Sequence, residues 1–515
     1  MTAAKVRVRS YPIVETRSGP VRGTNDGTVA AWKGVRYAAP PVDDLRWRAP
    51  QPPQPWTEIA DATLYGAVCP QPESPIPLGT GTRSSEDCLF LNVWAPADVL
   101  ADGAARPVMV WLHGGAYLLG ASSQPLYDGR SLAARGVVVV SINYRLGAFG
   151  FLELGNLDGA GDFDSNVGIR DAVLALQWVQ DNIARFGGDP QQVTVFGESA
   201  GAGIVTTLLT APAAAGLFHR AIAQSSPATS AYDAQRASRV AEMLLRRLDV
   251  SVAEARSVPV EAVVQASYEV FDEVPSTTPG TLAFAPIVDG DLIPDYPIKL
   301  AREGKSHPVP LIIGTNRDEA ALFRWMKSPL MPIAPKTIRS MFDEIATEQP
   351  ELAIPSDAEI EAAYPGVRPR ARGLQVARDV GFRMPTLWLA DGHSAVAPVY
   401  LYRFDWATTM LRVLRLGAAH ATELPYVFGN LVLGSRDVTF KLGGLKAGRA
   451  LSDRMQARWV NFARGAEPVG PAGEPWRRYT PGERATLLID REDSVVEDLD
   501  RDIRTAWGDE VLSFR

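Results

Sequence analysis

The chain has 515 residues, 46% hydrophobic and 22% charged, long enough to bury a large core. Its 52 Lys and Arg against 59 Asp and Glu give a net charge of −7, which excludes a dedicated nucleic-acid binder carrying a basic stripe. Two cysteines exclude a disulfide scaffold or a Cys-rich zinc module.

No apolar run approaches the roughly 18–20 residues of a membrane span. Residues 1–14 carry Lys5, Arg7 and Arg9 without an apolar stretch, so no secretory leader is expected and a cytoplasmic location is. No asparagine stands in an N-x-S/T sequon, and there is neither a repeat period nor a low-complexity tract. The Pro-rich stretches 38–41 and 50–55 lie among Trp32, Tyr37, Trp47 and Trp56, which marks them as packed irregular segments rather than linkers.

Five short apolar runs read as strands buried on both faces: 108–112, 137–142, 193–196, 311–314 and 399–404. Behind the first comes His113-Gly114-Gly115-Ala116-Tyr117. Read alone this is a tight turn, but its small residues let backbone N–H groups approach a ligand oxygen closely. Between the second and third runs, Ala172, Ala175, Leu176, Val179, Ile183 and Phe186 recur at three- and four-residue steps and predict a helix over 171–186. Gly187, Gly188 and Pro190 stop it and lead into the next strand. Strand, helix, strand in this order means α/β architecture with a mostly parallel sheet.

The third run enters Gly197-Glu198-Ser199-Ala200-Gly201, and residues 202–210 continue as a helix. A strand–G-x-S-x-G–helix is the nucleophile elbow, which exposes the serine hydroxyl at a strained turn. Side chains at Gly197 and Gly201 would strike the neighbouring strand and helix, and the Ala200 N–H faces the place where an oxyanion would form. The glycine turn at 113–116 then supplies the other half of an oxyanion hole.

Segments 230–275 and 325–395 read as helical insertions between strands, placed to cover the carboxyl edge where open α/β sheets bind ligands. After the fourth strand come Asp318 and Glu319, either of which suits the acid of a triad or a first-turn helix carboxylate. Of five histidines, His113 belongs to the glycine turn, His219 to a helix end, His307 to a connector and His393 to a turn. His420, in a small-residue loop beyond the last strand, is left as the general base.

Phe186-Gly187-Gly188, four residues, then Val193, Val195, Gly197, Ser199, Ala200 and Gly201 resemble the serine signature of type-B carboxylesterases. That family includes the cholinesterases and the bacterial para-nitrobenzyl esterases. Residues 86–93, 143–147, 166–171, 286–290, 420–429 and 476–479 extend the likeness over nearly the whole chain. The resemblance implies a single α/β-hydrolase domain over 1–515, with a mostly parallel central sheet, helices on both faces and the insertions as a lid. It implies a serine carboxylesterase with triad Ser199, His420 and Glu319, the last chosen over Asp318 through the family's Asp-Glu-Gly motif, here ending in Ala320. The oxyanion hole maps onto Gly114, Gly115, Ala116 and Ala200, and substrate-side positions onto Glu198, Ser225 and Leu282.

Arg46 with Glu86 and Arg145 with Asp171 resemble family salt bridges, and Cys69 and Cys88 match the ends of a loop that is disulfide-bonded in secreted relatives. Residues 70–87 contain no aromatic to stack on choline, and the bulky acyl-pocket positions of cholinesterases map onto Gly280 and Leu282. The implied partner is a small-molecule ester, with no cofactor, metal, nucleic acid or membrane span, in a monomer or weak homo-oligomer. The same triad would serve a carbamate or amide hydrolase. A neuroligin-like binding protein lacks the serine that this chain has at Ser199.

Overall fold

Alternate residues of an extended run point to opposite faces of a sheet. Val108, Val110 and Leu112 accordingly join one apolar cluster while Met109 and Trp111 join another. Val193 and Val195 fall on the first face and Phe196 on the second. Runs apolar at every position therefore become central strands covered on both sides.

The computed structural model describes residues 8–73, 77–79, 81–435 and 437–515. Half of the segment in which no leader was expected, residues 1–7, lies outside them. One large sheet contains eleven strands: β1 (Thr24–Asn25), β2 (Val29–Arg36), β3 (Phe90–Pro96), β4 (Arg106–Leu112), β5 (Val138–Ile142), β6 (Gly188–Glu198), β7 (Arg220–Gln224), β8 (Leu311–Asn316), β9 (Val399–Phe404), β10 (Thr486–Ile489) and β11 (Ser494–Val496). From one edge to the other they run β11, β10, β9, β8, β7, β6, β4, β5, β3, β2, β1. The middle of the sheet, β5 and β4 through β10, is parallel. Both margins are antiparallel. All five expected strands are present in β4, β5, β6, β8 and β9, with β5 beginning one residue after the expected start.

The expected helix after β5 begins earlier, as α1 (Val167–Asn182), and ends in a tight turn over Ile183–Phe186. Its start is set by Asn166, whose left-handed backbone (φ 55°) frees the side-chain amide to donate to Ile287 O and Asp289 Oδ2. Helix α2 (Ala200–Leu208) follows β6. Between β7 and β8 lie α3 (Ala234–Leu248) and α4 (Val260–Thr277). Between β8 and β9 lie α5 (Ala320–Met326), α6 (Pro335–Glu348), α7 (Asp357–Ala363), α8 (Pro369–Arg378) and α9 (Met384–His393). The stretches 230–275 and 325–395 are thus largely helical. His393 closes α9 rather than sitting in an open turn. Its ring is fully used, Nδ1 with Ser306 Oγ and Nε2 with Val309 O. Among the described residues no helix is long and apolar enough to cross a membrane.

Two internal ion pairs tie the loops at the sheet edge. Arg145 grips Asp171 through Nε and Nη2 at 2.8 and 2.7 Å, and Asp171 also accepts the Arg145 N–H. Arg46 holds Glu86 in the same bidentate way at 2.7 and 2.6 Å. The disulfide left open between Cys69 and Cys88 is not formed: both are buried free thiols. Cys69 Sγ accepts the Leu146 N–H at 3.2 Å, and a hydrogen bond to Cys69 together with burial pushes the Cys88 thiol up. A thiol held protonated in this way is a poor nucleophile for oxidation.

Candidate active site

The turn between β6 and α2 is forced by backbone crowding. A Cβ on Gly201 would stand 2.0 Å from Leu112 O, and one on Gly197 would stand 2.6 Å from the Gly201 carbonyl carbon. No side chain fits at either position, so strand and helix close onto each other and Ser199 takes the tip at φ 56°, ψ −126°. That strained conformation is held from both sides: Ser199 N–H donates to Gln224 O at 2.9 Å, and Ser199 O accepts from Gly203 N–H at 2.8 Å. The hydroxyl stands at the N-terminus of α2, where the helix dipole favours negative charge.

The glycine turn after β4 packs directly on this tip. A Cβ on Gly114 would lie 3.0 Å from Ser199 Cβ and 2.8 Å from Glu198 O. Gly115, Ala116 and Tyr117 all have positive φ (124°, 52° and 58°), which turns the chain sharply back. Among the described residues the N–H groups of Gly115, Ala116 and Ala200 donate to no protein acceptor. His113 supports the turn rather than reacting. Its Nδ1 meets Gly114 O at 2.9 Å, its ring stacks on Tyr144 and burial lowers its pKa to about 4, so it is neutral.

The candidate acid and base, Glu319 and His420, meet beyond β8 and β9. Glu319, fully buried, accepts three donors: Ser225 Oγ–H and the Asn316 N–H on Oε1, and His420 Nδ1–H on Oε2, each at 2.6 Å. Asp318, equal to Glu319 by sequence, faces elsewhere. It pairs with Arg317 at 3.0 Å and accepts the Ala418 N–H, while its own N–H donates to Ala418 O. That clamp and the Asn316 Nδ2 bond to Ala419 O fix the loop carrying His420.

Acceptance by Glu319 puts the imidazole proton on Nδ1 and leaves Nε2 as the basic nitrogen. Nε2 lies 3.1 Å from Glu198 Oε1, off the line of a hydrogen bond. Burial raises the Glu198 carboxyl to about 8, with further upward push from Glu423 and Glu319 against the opposing pull of His420. For His420, burial disfavours the imidazolium, but Glu198, Glu319 and Glu423 outweigh it and raise the ring to about 9. The two groups share one proton, and burial of Glu198 Oε1 without a donor favours its residing on the carboxyl. A protonated Glu198 removes the nearest charge that holds the proton on His420.

Several residues of this environment were not singled out from the sequence. Glu423 is fully buried, accepting from Asn316 Nδ2 at 2.5 Å and Gln224 Nε2 at 3.0 Å. Phe323 of α5 and Phe382 pack on the His420 ring at 5.2 and 4.8 Å between centroids. Phe382 is carried by a wide π-helical turn, Asp379–Arg383, anchored by Arg378 on Asp379 and by Arg383 on Asp500. Of the residues mapped to the substrate side, Glu198 and Ser225 meet the His420–Glu319 pair. Leu282 donates its N–H to Tyr232 Oη at 2.9 Å, and nearby Gly280 lines a cavity of about 50 Å³ with Val380 and Gly381, next to Phe382.

The sequence profile of the carboxylesterase family matches residues 10–506. The chain is 38% identical over 498 residues to the para-nitrobenzyl esterase of Bacillus subtilis strain 168, covering 95% of this chain and 97% of that protein. It is 35% identical over 505 residues to the phenmedipham hydrolase of Pseudarthrobacter oxydans, with the same coverage. The solved carboxylesterase of Geobacillus stearothermophilus superposes with a TM-score of 0.82 at 36% identity, covering 96% of this chain and 100% of that one. An α/β-hydrolase sheet, a serine elbow facing a glycine turn and a likeness running the length of both chains have one common explanation: the chain belongs to the carboxylesterase family.

Proposed function

We propose that this carboxylic ester hydrolase works through Ser199, His420 and Glu319. Ser199 Oγ attacks the ester carbonyl while His420 Nε2 takes its proton. Glu319 keeps the imidazole in the productive tautomer and stabilises the imidazolium. The N–H groups of Gly115, Ala116 and Ala200, with Gly114 supporting the turn, receive the tetrahedral oxyanion. His420 then protonates the leaving alcohol and activates the water that releases the acyl enzyme. The observation that supports this reading most directly is the buried 2.6 Å bond from His420 Nδ1 to Glu319, adjoining the Ser199 elbow through Glu198.

Gly280 and Leu282, small or flexible where cholinesterases are bulky, leave room for the acid portion of an ester. The helices of 230–275 and 325–395 act as the lid, with Phe382 as an apolar wall against His420. The substrate is a small neutral ester. The test is hydrolysis of para-nitrophenyl acetate, butyrate and octanoate with and without an organophosphate, followed by mass spectrometry of the Ser199 peptide. Turnover is expected to vanish in step with a single adduct on Ser199, and Ser199→Ala to lose at least ~10⁴-fold in kcat with its melting temperature intact. Wild-type-like turnover by clean Ser199→Ala protein refutes the assignment.

A further inference from the structure

Behind the loops that carry Glu319 and His420 lies a cavity of about 320 Å³ that the esterase reaction does not use. Five arginines line it, Arg317, Arg324, Arg378, Arg412 and Arg415, against a single acid, Asp318. Two of the five are neutralised: Arg317 by Asp318 at 3.0 Å, and Arg378 by Asp379, which it grips at 2.6 and 2.9 Å. Arg324, Arg412 and Arg415 pair with no acid among the described residues. Three uncompensated guanidiniums around one concavity repel one another, in a chain whose overall charge is −7.

All three are solvent-exposed around the concavity, and one of them is tethered to the backbone of another. Arg324 Nη2 donates to Arg415 O at 3.2 Å, which ties the end of α5 to the turn after α10 (Thr409–Val413) and brings both side chains to the same mouth. Arg415 also occupies a left-handed backbone position, φ 58°, where glycine or asparagine would sit without strain. The floor is stiff, because Asp318 and Gly417 lie there and are locked by the Asp318–Ala418 clamp.

We propose that this cavity binds a compact multivalent oxyanion of the phosphate class. Guanidinium forks match tetrahedral oxyanions with paired N–H donors, and a ligand carrying two or more charges would relieve the repulsion among the three free arginines. The volume is that of a small-metabolite site. This site is independent of the serine chemistry and would stand if Ser199 proved not to be the nucleophile.

The test is isothermal titration calorimetry with inorganic pyrophosphate at a fixed ionic strength of about 0.15 M, where non-specific surface attraction is screened. Saturable one-to-one binding is expected. It should weaken at least ~10-fold in Arg412→Ala/Arg415→Ala and be unchanged in Arg239→Ala, an exposed arginine on α3. Hydrolysis of para-nitrophenyl acetate and the melting temperature verify that each variant is folded. If the double variant fails that check, the single exposed change Arg412→Gln carries the test, with a smaller loss of affinity expected. No saturable binding by the wild-type chain, or undiminished affinity in the folded arginine variants, overturns the proposal.

Discussion

Replacing Ser225 by alanine isolates one donor of the acid's support. Glu319 is fully buried and among the described residues receives three donors, two of them on Oε1: Ser225 Oγ–H and the Asn316 N–H, both at 2.6 Å. The Ser225→Ala methyl leaves Oε1 with the backbone donor alone, in a place sealed from water, since Ser225 itself is 0% exposed. A hydrogen bond to a charged group is worth about 1.5–3 kcal/mol. If all of it reached the barrier, the rate would fall about 10- to 150-fold at about 1.4 kcal/mol per decade. The 2.6 Å His420–Glu319 bond survives in the variant, so part of the loss goes into stability and a fall of about 5- to 20-fold in kcat is expected, with little change in KM. The assay is initial-rate hydrolysis of para-nitrophenyl butyrate, normalised to sites counted by organophosphate titration so that unfolded protein is not scored as slow protein. A per-site kcat within twofold of wild type would refute the reasoning, since it would mean that the serine only fills space.

Glu198→Gln replaces a carboxyl that burial holds protonated by a neutral group of the same shape beside His420 Nε2. The charge around the imidazole is then unchanged, so the acid limb of the kcat/KM profile should stay within about 0.3 unit of wild type; a limb moved down by a unit or more would show that Glu198 is ionised beside His420. Arg145→Ala leaves the Asp171 carboxylate at 0% exposure without its partner, and urea unfolding should show a loss of about 3–5 kcal/mol; a loss under ~1 kcal/mol would show that the pair is dispensable. Cys69 and Cys88, 2% and 0% exposed, should resist an aromatic disulfide reagent in the native state and yield two thiols per chain in denaturant. Absence of titratable thiol after denaturation would mean that the bridge exists after all.

The elbow was legible in sequence because steric demands at Gly197 and Gly201 are local: each faces backbone a few residues away or on the adjacent strand. Five of the seven parallel strands were legible for a similar reason, since burial on both faces leaves an unbroken apolar run; β7 and β10 were not, each holding only three apolar residues in a row. The marginal strands β2 and β3 escaped because a one-sided, antiparallel environment permits Lys33 and Asn92 among apolar residues. The acid could not be chosen locally. Asp318 and Glu319 are neighbours on the same loop, and what separates them is Ala418 and His420, about a hundred residues away. Glu423 and Phe382 were opaque for the same reason: one is defined by Asn316 and Gln224 from two other strands, the other by a π-helical turn whose anchor, Asp500, lies near the end of the chain.

The 2.6 Å contact between Glu319 and His420 spans 101 residues of sequence, and each side depends on its own strand having joined the sheet. If the proposed triad holds, neither half of the polypeptide contains a working site. A ribosome must deliver the chain past His420 before any proton can be relayed, and a refolding molecule must zip β9 onto β8 first. In the proposed triad, turnover therefore reports that the β8–β9 register has formed. During dilution from denaturant, recovered hydrolysis should trail recovered helical signal, and the lag measures how long this enzyme spends folded in outline but chemically silent.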